Sequence, residues 1–293
     1  MYKKVLADTY MGLLDSFSDF RNEVKDYNPE YVKDEMVSKD LLSKYHIDEI
    51  AGSGSDLDKI LNLLQWLAKN VNHNGGMLKT YHGKIDAVSL LDHAYHKDVK
   101  NGLNCLYLSY VLSECLITLG IKARPISMMP MSPYDDDNHV VVMTYTNALK
   151  KWIMVDPTYG SYFLDEHQVI LDLIEIREAL SKRKIPKMNE AFFYNDLVGD
   201  DLVEVKEMYP LYIAKNSFAY YTFEKIEQGK ELTKFYRCST CHAIAGLDEE
   251  LNISEDISTI ILATDSQAER KQKLDNWRIN KNNFVLFLNY NLN

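Results

Sequence analysis

Long apolar runs are missing from this 293-residue chain, and none of its hydrophobic stretches would span a bilayer. A helical membrane protein is excluded, and a membrane is not an expected partner. Cysteine is scarce: four in a chain of this length argue against a disulfide framework and suit a reducing compartment. Basic blocks are lacking as well. The 33 Lys and Arg residues stand against 43 Asp and Glu, and the formal charge of −10 is spread along the chain. Without a basic patch interleaved with aromatics, nucleic acid is not an expected partner. The opening Met-Tyr-Lys-Lys-Val-Leu-Ala-Asp turns polar before a signal-peptide core forms, so the expected address is the cytoplasm. No internal repeat or low-complexity tract is evident, and the length allows one large core or two modest ones.

What the chain does contain is an apolar helix opened by a cysteine. From Cys105, Leu108, Leu112, Cys115, Leu116 and Leu119 recur at steps of three and four, while Tyr107, Tyr110 and Val111 make the other side apolar too. The pattern predicts a buried central helix, stopped by Gly120. Cys105 then sits in the first turn, where unpaired amides and the helix dipole favour an anion and hence the thiolate. Cys115, mid-helix on the same stripe, reads as packing.

Downstream, His139 begins the run His-Val-Val-Val-Met-Thr-Tyr145, whose β-branched residues predict a strand. Lys150-Lys151 marks a turn, Trp152-Ile-Met-Val155 predicts the second arm of a hairpin, and Asp156-Pro157 ends it. Taken alone, Asp156 reads equally well as a turn residue before Pro-Thr. With Cys105 and His139 it supplies the third part of a thiol nucleophile system: nucleophile, base and orienting carboxylate.

These residues resemble the transglutaminase-like superfamily of papain-fold proteins, in its bacterial branch. The likeness rests on Asn104-Cys105 opening a helix, Leu119-Gly-Ile-Lys-Ala-Arg-Pro125, His139-Val-Val-Val and Lys151-Trp-Ile-Met-Val-Asp-Pro-Thr158, with weaker echoes at Leu64–Gly75, Tyr162–Glu166 and Glu175–Arg177. It spans about residues 56–180. The histidine follows the cysteine by 34 residues and the aspartate follows the histidine by 17. The resemblance implies an α+β papain-like core, a helix packed on an antiparallel sheet, with Cys105 as nucleophile, His139 as base and Asp156 as orienting carboxylate. Activity does not follow from the resemblance alone; the triad reading predicts acyl transfer or hydrolysis on a carboxamide or peptide bond of a peptide or protein substrate, and no cofactor and no metal are expected. The alternative is a catalytically silent binding or scaffolding module on the same fold. Oligomeric state is left open.

The expected organisation is an N-terminal helical segment over 1–55, a catalytic core over 56–185, and a C-terminal extension or small second domain over 186–293. Residues 1–50 look helical, with Leu13, Leu14, Phe17 and Phe20 as an apolar stripe. Ala51-Gly-Ser-Gly-Ser55 reads as a linker, with Ser55 or Asp56 capping a helix over Leu57–Val71. Another helix is predicted over 165–185, and strands at Ile257–Ala263 and Phe284–Leu288. The C-terminal third is either a separate small domain or strands added to the core sheet. Cys238-Ser-Thr-Cys241-His242 has the form of a c-type haem site. Without an export signal, or the further ligands that zinc needs, it reads as an incidental or redox-labile thiol pair. Asp135-Asp-Asp137 reads as a solvated acidic loop. His73 and His82 flank a Gly-Gly turn, where either could line the cleft but a structural polar contact is the favoured role, and Tyr81, Asn101 and Asn104 are candidate oxyanion donors.

Overall fold

The computed structural model describes residues 2–16, 21–22, 30–77, 81–95, 99–131, 135, 137–223, 225–230 and 235–240. In chain order the helices are α1 (Tyr2–Ser16), α2 (Glu35–Tyr45), α3 (Ile47–Ala51), α4 (Asp56–Asn70), α5 (Ala87–Ala94), α6 (Cys105–Thr118), α7 (Leu173–Ser181) and α8 (Gly199–Lys215). The strands are β1 (Arg21–Asn22), β2 (Glu30–Val32), β3 (Ala123–Met129), β4 (His139–Thr146), β5 (Lys151–Val155), β6 (Phe163–Leu164), β7 (Lys187–Met188), β8 (Ala219–Phe223), β9 (Lys225–Glu227) and β10 (Phe235–Thr240).

Helix α6 is the axis of the fold. All of its residues are buried, because a helix with no polar stripe must be wrapped on every side. Asn104 caps its start, the carboxamide oxygen accepting from the Tyr107 amide at 2.9 Å. At its end Gly120 takes φ +78°, which only glycine adopts at little cost. That turn sends the Gly120 and Ile121 amides back to the Ile117 and Leu116 carbonyls, both at 2.9 Å.

The wrapping comes from a six-stranded antiparallel sheet in the order β1-β10-β8-β3-β4-β5. Alternation along its strands sorts side chains onto two cores. Val140 and Val142 of β4, with Ile153 and Val155 of β5, join α4, α5 and α6 on one face. Val141, Met143 and Met154 point the other way, onto α1, α7 and α8. The architecture is therefore α+β, a central helix packed on an antiparallel sheet, as the resemblance implies. Ser55 rather than Asp56 caps α4, in a capping box with Asp58. Asp56 instead turns to the β4–β5 hairpin, accepting from the Thr146 hydroxyl at 2.9 Å, the Ala148 amide at 3.2 Å and the Asn147 amide.

Three expectations need correction. The stretch 1–50 is not helical throughout, for strands β1 and β2 interrupt it. Strand β2 pairs in parallel with β9, from the far end of the described chain, a partnership that no local pattern encodes. Within the predicted stripe Leu14 is buried, while Phe17 and Phe20 lie outside the described residues. The helix expected over 165–185 is confined to α7. Asp165, assigned to its start, closes a turn by accepting from the His167 and Val169 amides at 2.9 and 2.8 Å, and Asp172 is the true cap. Between 186 and 240 the chain forms the long helix α8 and adds β8 and β10 to the central sheet beside β3. The strands expected at 257–263 and 284–288 lie outside the described residues.

Candidate active site

The hairpin register puts Val142 opposite Val155 and Met143 opposite Met154. Extended by strand alternation, it sets His139 and Asp156 on one sheet face as diagonal neighbours. His139 Nε2 lies 2.6 Å from Asp156 Oδ2. Asp156 is wholly buried, and its carboxylate is well supplied with donors. Oδ1 accepts from the Thr158 amide at 2.9 Å, and Oδ2 also accepts from the Tyr209 hydroxyl at 2.7 Å. The residue thus plays both of its sequence readings, ordering the Pro157-Thr158 turn through one oxygen and holding the imidazole through the other.

Cys105, at the first position of α6, is only 7% exposed. Its thiol is hydrogen-bonded to two imidazoles, those of His139 and His73. Burial raises the thiol's proton affinity; the hydrogen bonds from His139 and then His73, with the charge on those rings, outweigh it and bring the pKa from 9.0 down to about 6. For His139, burial works to discharge the ring. The charge on Asp156, the hydrogen bond to it and then Cys105 prevail, lifting the pKa from 6.5 to about 10. Both shifts favour the thiolate–imidazolium pair over the neutral one.

An aromatic wall closes over the pair. The His139 ring lies 5.3 Å from that of Tyr212 and 5.9 Å from that of Tyr159. Tyr159 in turn stacks on Tyr194 at 5.1 Å and meets Tyr209 at 4.7 Å. Tyr212 also donates to the Asn138 carbonyl at 2.8 Å, fixing the residue next to the imidazole. Helix α8 carries both Tyr209 and Tyr212.

The remaining sequence candidates fall as follows. Asn104 is occupied as the α6 cap. Tyr81 donates to the Lys84 carbonyl at 2.6 Å, and Asn101 lies in a 3₁₀ turn over Val99–Asn101. His82 is exposed. Cys115 is buried, and burial with the neighbouring Glu114 pushes its thiol above the ordinary range. The acidic loop is not simply solvated: Asp135 and Asp137 pair with Lys215 of α8 at 2.9 and 3.0 Å, while Asp136 is outside the described residues. Cys238 lies on β10, and Cys241 and His242 are outside the described residues. Among the described residues no cluster of His, Cys, Asp and Glu has the makings of a metal site.

Sequence reasoning missed two features. For His73 the sequence favours a structural contact over a place in the cleft, yet its ring also reaches the thiol. The usable signal was Gly102: a Cβ there would stand 2.4 Å from the Asn72 carbonyl oxygen, so only glycine lets residues 72–74 run beside the approach to Cys105. Glu114, buried in the middle of α6, gives no signal in the apolar periodicity of that helix. Burial, opposed by hydrogen bonds from Tyr110, Gly229 and Ala87, raises its pKa from 4.5 to about 7.

Residues 45–157 match the family profile of the transglutaminase-like superfamily. No curated protein and no solved structure matches the chain. Among the described residues no helix is long and apolar enough to cross a membrane. The matched stretch contains His73, Cys105, His139 and Asp156, whereas Tyr159, Tyr194, Tyr209 and Tyr212 lie beyond it. An α+β fold with a cysteine-opened helix against an antiparallel sheet, and a family match over that same stretch, make residues 45–157 a transglutaminase-like domain.

Proposed function

We propose that the chain is a cysteine-dependent enzyme that cleaves or transfers an acyl group at a carboxamide or peptide bond of a peptide or protein. Cys105 is the nucleophile, His139 the proton carrier and Asp156 the orienting carboxylate. The observation that carries this reading is the linkage: the imidazole 2.6 Å from Asp156 is also hydrogen-bonded to the thiol. The thiolate attacks the carbonyl carbon, and the amide donors at the start of α6 face the oxygen on which charge collects. The His139 imidazolium then gives its proton to the departing ammonia or amine, leaving a thioester on Cys105. Water or a second amine, deprotonated by the now neutral imidazole, resolves it. A reducing, cytoplasmic setting would keep such a thiolate from oxidation.

One observation favours a second reading, the silent binding module. Cys105 and His139 are 7% and 2% exposed beneath the tyrosine wall. The discriminating experiment uses a small acyl donor, p-nitrophenyl acetate, with mass spectrometry of the protein. The enzyme reading expects an acetyl thioester on Cys105 and release of p-nitrophenolate, both lost in Cys105→Ala. Wild-type protein that is never acetylated at Cys105 would favour the silent module.

A further inference from the structure

The thiol has two imidazole neighbours, and the mechanism above uses one. His73 is held in place by more contacts than a packing residue needs. Its chain neighbours are locked to the approach of α6, the Asn74 amide donating to the Leu103 carbonyl at 2.8 Å and the Leu103 amide to the Asn72 carbonyl at 2.9 Å. The side chain of Asn195 brackets its peptide unit, accepting from the His73 amide at 2.6 Å and donating to the His73 carbonyl at 3.2 Å. The Tyr194 hydroxyl lies 3.3 Å from Nδ1, with the two rings 5.8 Å apart. That contact leaves Nε2 as the nitrogen for the sulfur.

We infer that His73 is a second catalytic imidazole, a hydrogen-bond donor oriented by Tyr194, whose Nε2–H follows negative charge from the Cys105 sulfur to the substrate carbonyl oxygen. The inference rests on the acyl-transfer reading and deepens it. A ring held through Nδ1 by the Tyr194 hydroxyl presents Nε2 to the anion, while the proton that moves in the reaction is carried by His139. As the C–S bond forms, the carbonyl π pair moves onto oxygen, which takes over the Nε2–H hydrogen bond. As the tetrahedral intermediate collapses, the C–N bond breaks and the amine leaves with the proton of His139; His73 keeps its own throughout. Tyr194 and Asn195 lie outside the matched residues 45–157, so the segment carrying them is part of the reaction centre.

Two reactions of Cys105 separate this role from a structural one. Alkylation by iodoacetamide forms no oxyanion, whereas acetylation by p-nitrophenyl acetate does and needs no proton for its leaving group. At a pH where Cys105 is thiolate, His73→Ala should lower acetylation about 10²-fold while changing alkylation far less. His73→Gln, which restores an N–H donor, should recover acetylation to within about tenfold of wild type. Tyr194→Phe, a positioning variant, should lower the ratio of acetylation to alkylation about threefold or more by releasing the orientation of the ring. Equal losses in both reactions, or none in either, overturn the inference while leaving acyl transfer standing. Should His73→Ala fail to fold, Tyr194→Phe decides: an unchanged ratio overturns the assignment. Wild-type protein that is alkylated but never acetylated overturns the acyl-transfer reading and His73's role with it.

Discussion

Replacing His139 by alanine should change the pH at which Cys105 becomes a nucleophile more than it changes the rate at any single pH. In the native site the thiol's pKa is about 6 rather than 9.0, and His139 is the larger of the two hydrogen-bonding contributors to that shift. Without it, burial opposes His73 alone, and the midpoint should climb toward 9.0. A full return would cut the thiolate fraction at about pH 7 roughly 10²-fold. A more basic thiolate is also a better nucleophile, by about 20-fold over such a shift at a Brønsted slope of about 0.4–0.5, so the net loss at neutrality would be only about fivefold. The midpoint is therefore the observable to follow. Iodoacetamide rates measured from about pH 4 to 10 should show a wild-type midpoint near 6 and a His139→Ala midpoint at least about one unit higher. Coincident midpoints would refute the claim that this imidazole stabilises the thiolate, as would a wild-type midpoint near 9.0.

Tyr209→Phe removes a donor from the buried Asp156 carboxylate and should cost about 1–3 kcal/mol, a fall of several degrees in Tm. Relieved of that donor, the carboxylate should hold the His139 proton more tightly, which NMR titration of the imidazole would report as a raised pKa; a lowered one would contradict the assignment. Glu114→Gln should abolish a pH dependence of stability. Between its ordinary 4.5 and about 7 the folded protein binds a proton that the unfolded chain releases, so wild-type stability falls as pH rises through that window, by about 3 kcal/mol at most. Calorimetry of the two proteins across the window checks it, and parallel curves would count against a protonated Glu114.

The nucleophile helix and the hairpin were legible because each is encoded over a short span. The apolar steps of α6 and the β-branched run of β4 carry their own periods, and Gly120 and Asp156-Pro157 mark the ends. What escaped was built from distance. Tyr194 meets His73 across 121 residues and Tyr209 meets Asp156 across 53, and nothing in the local pattern of a tyrosine announces a carboxylate or imidazole partner. Helix α8 was hidden by its composition, with a glycine first, two aspartates next and Pro210 inside, which withholds a donor from the Lys206 carbonyl. Its fold comes from the tyrosines and aliphatics that it buries against α1 and the sheet.

The sulfur and the imidazole belong to different cores. Cys105 is packed with Val140 and Val142 on the α6 face of the sheet, while His139 and Asp156 share the face of Val141 and Met154, the one held by α8. The distance between thiolate and proton is thus a gauge of how the two halves of a sandwich are seated. A substitution such as Leu180→Ala, deep in the α7–α8 layer and far along the chain from the nucleophile, can shear that seating by a fraction of an ångström while both layers stay folded. Such a substitution lowers Tm through the cost of a buried cavity, about 2–5 kcal/mol, and a loosened imidazole contact should in addition raise the pH midpoint of Cys105 alkylation, making that midpoint a sensor of how the layers are seated.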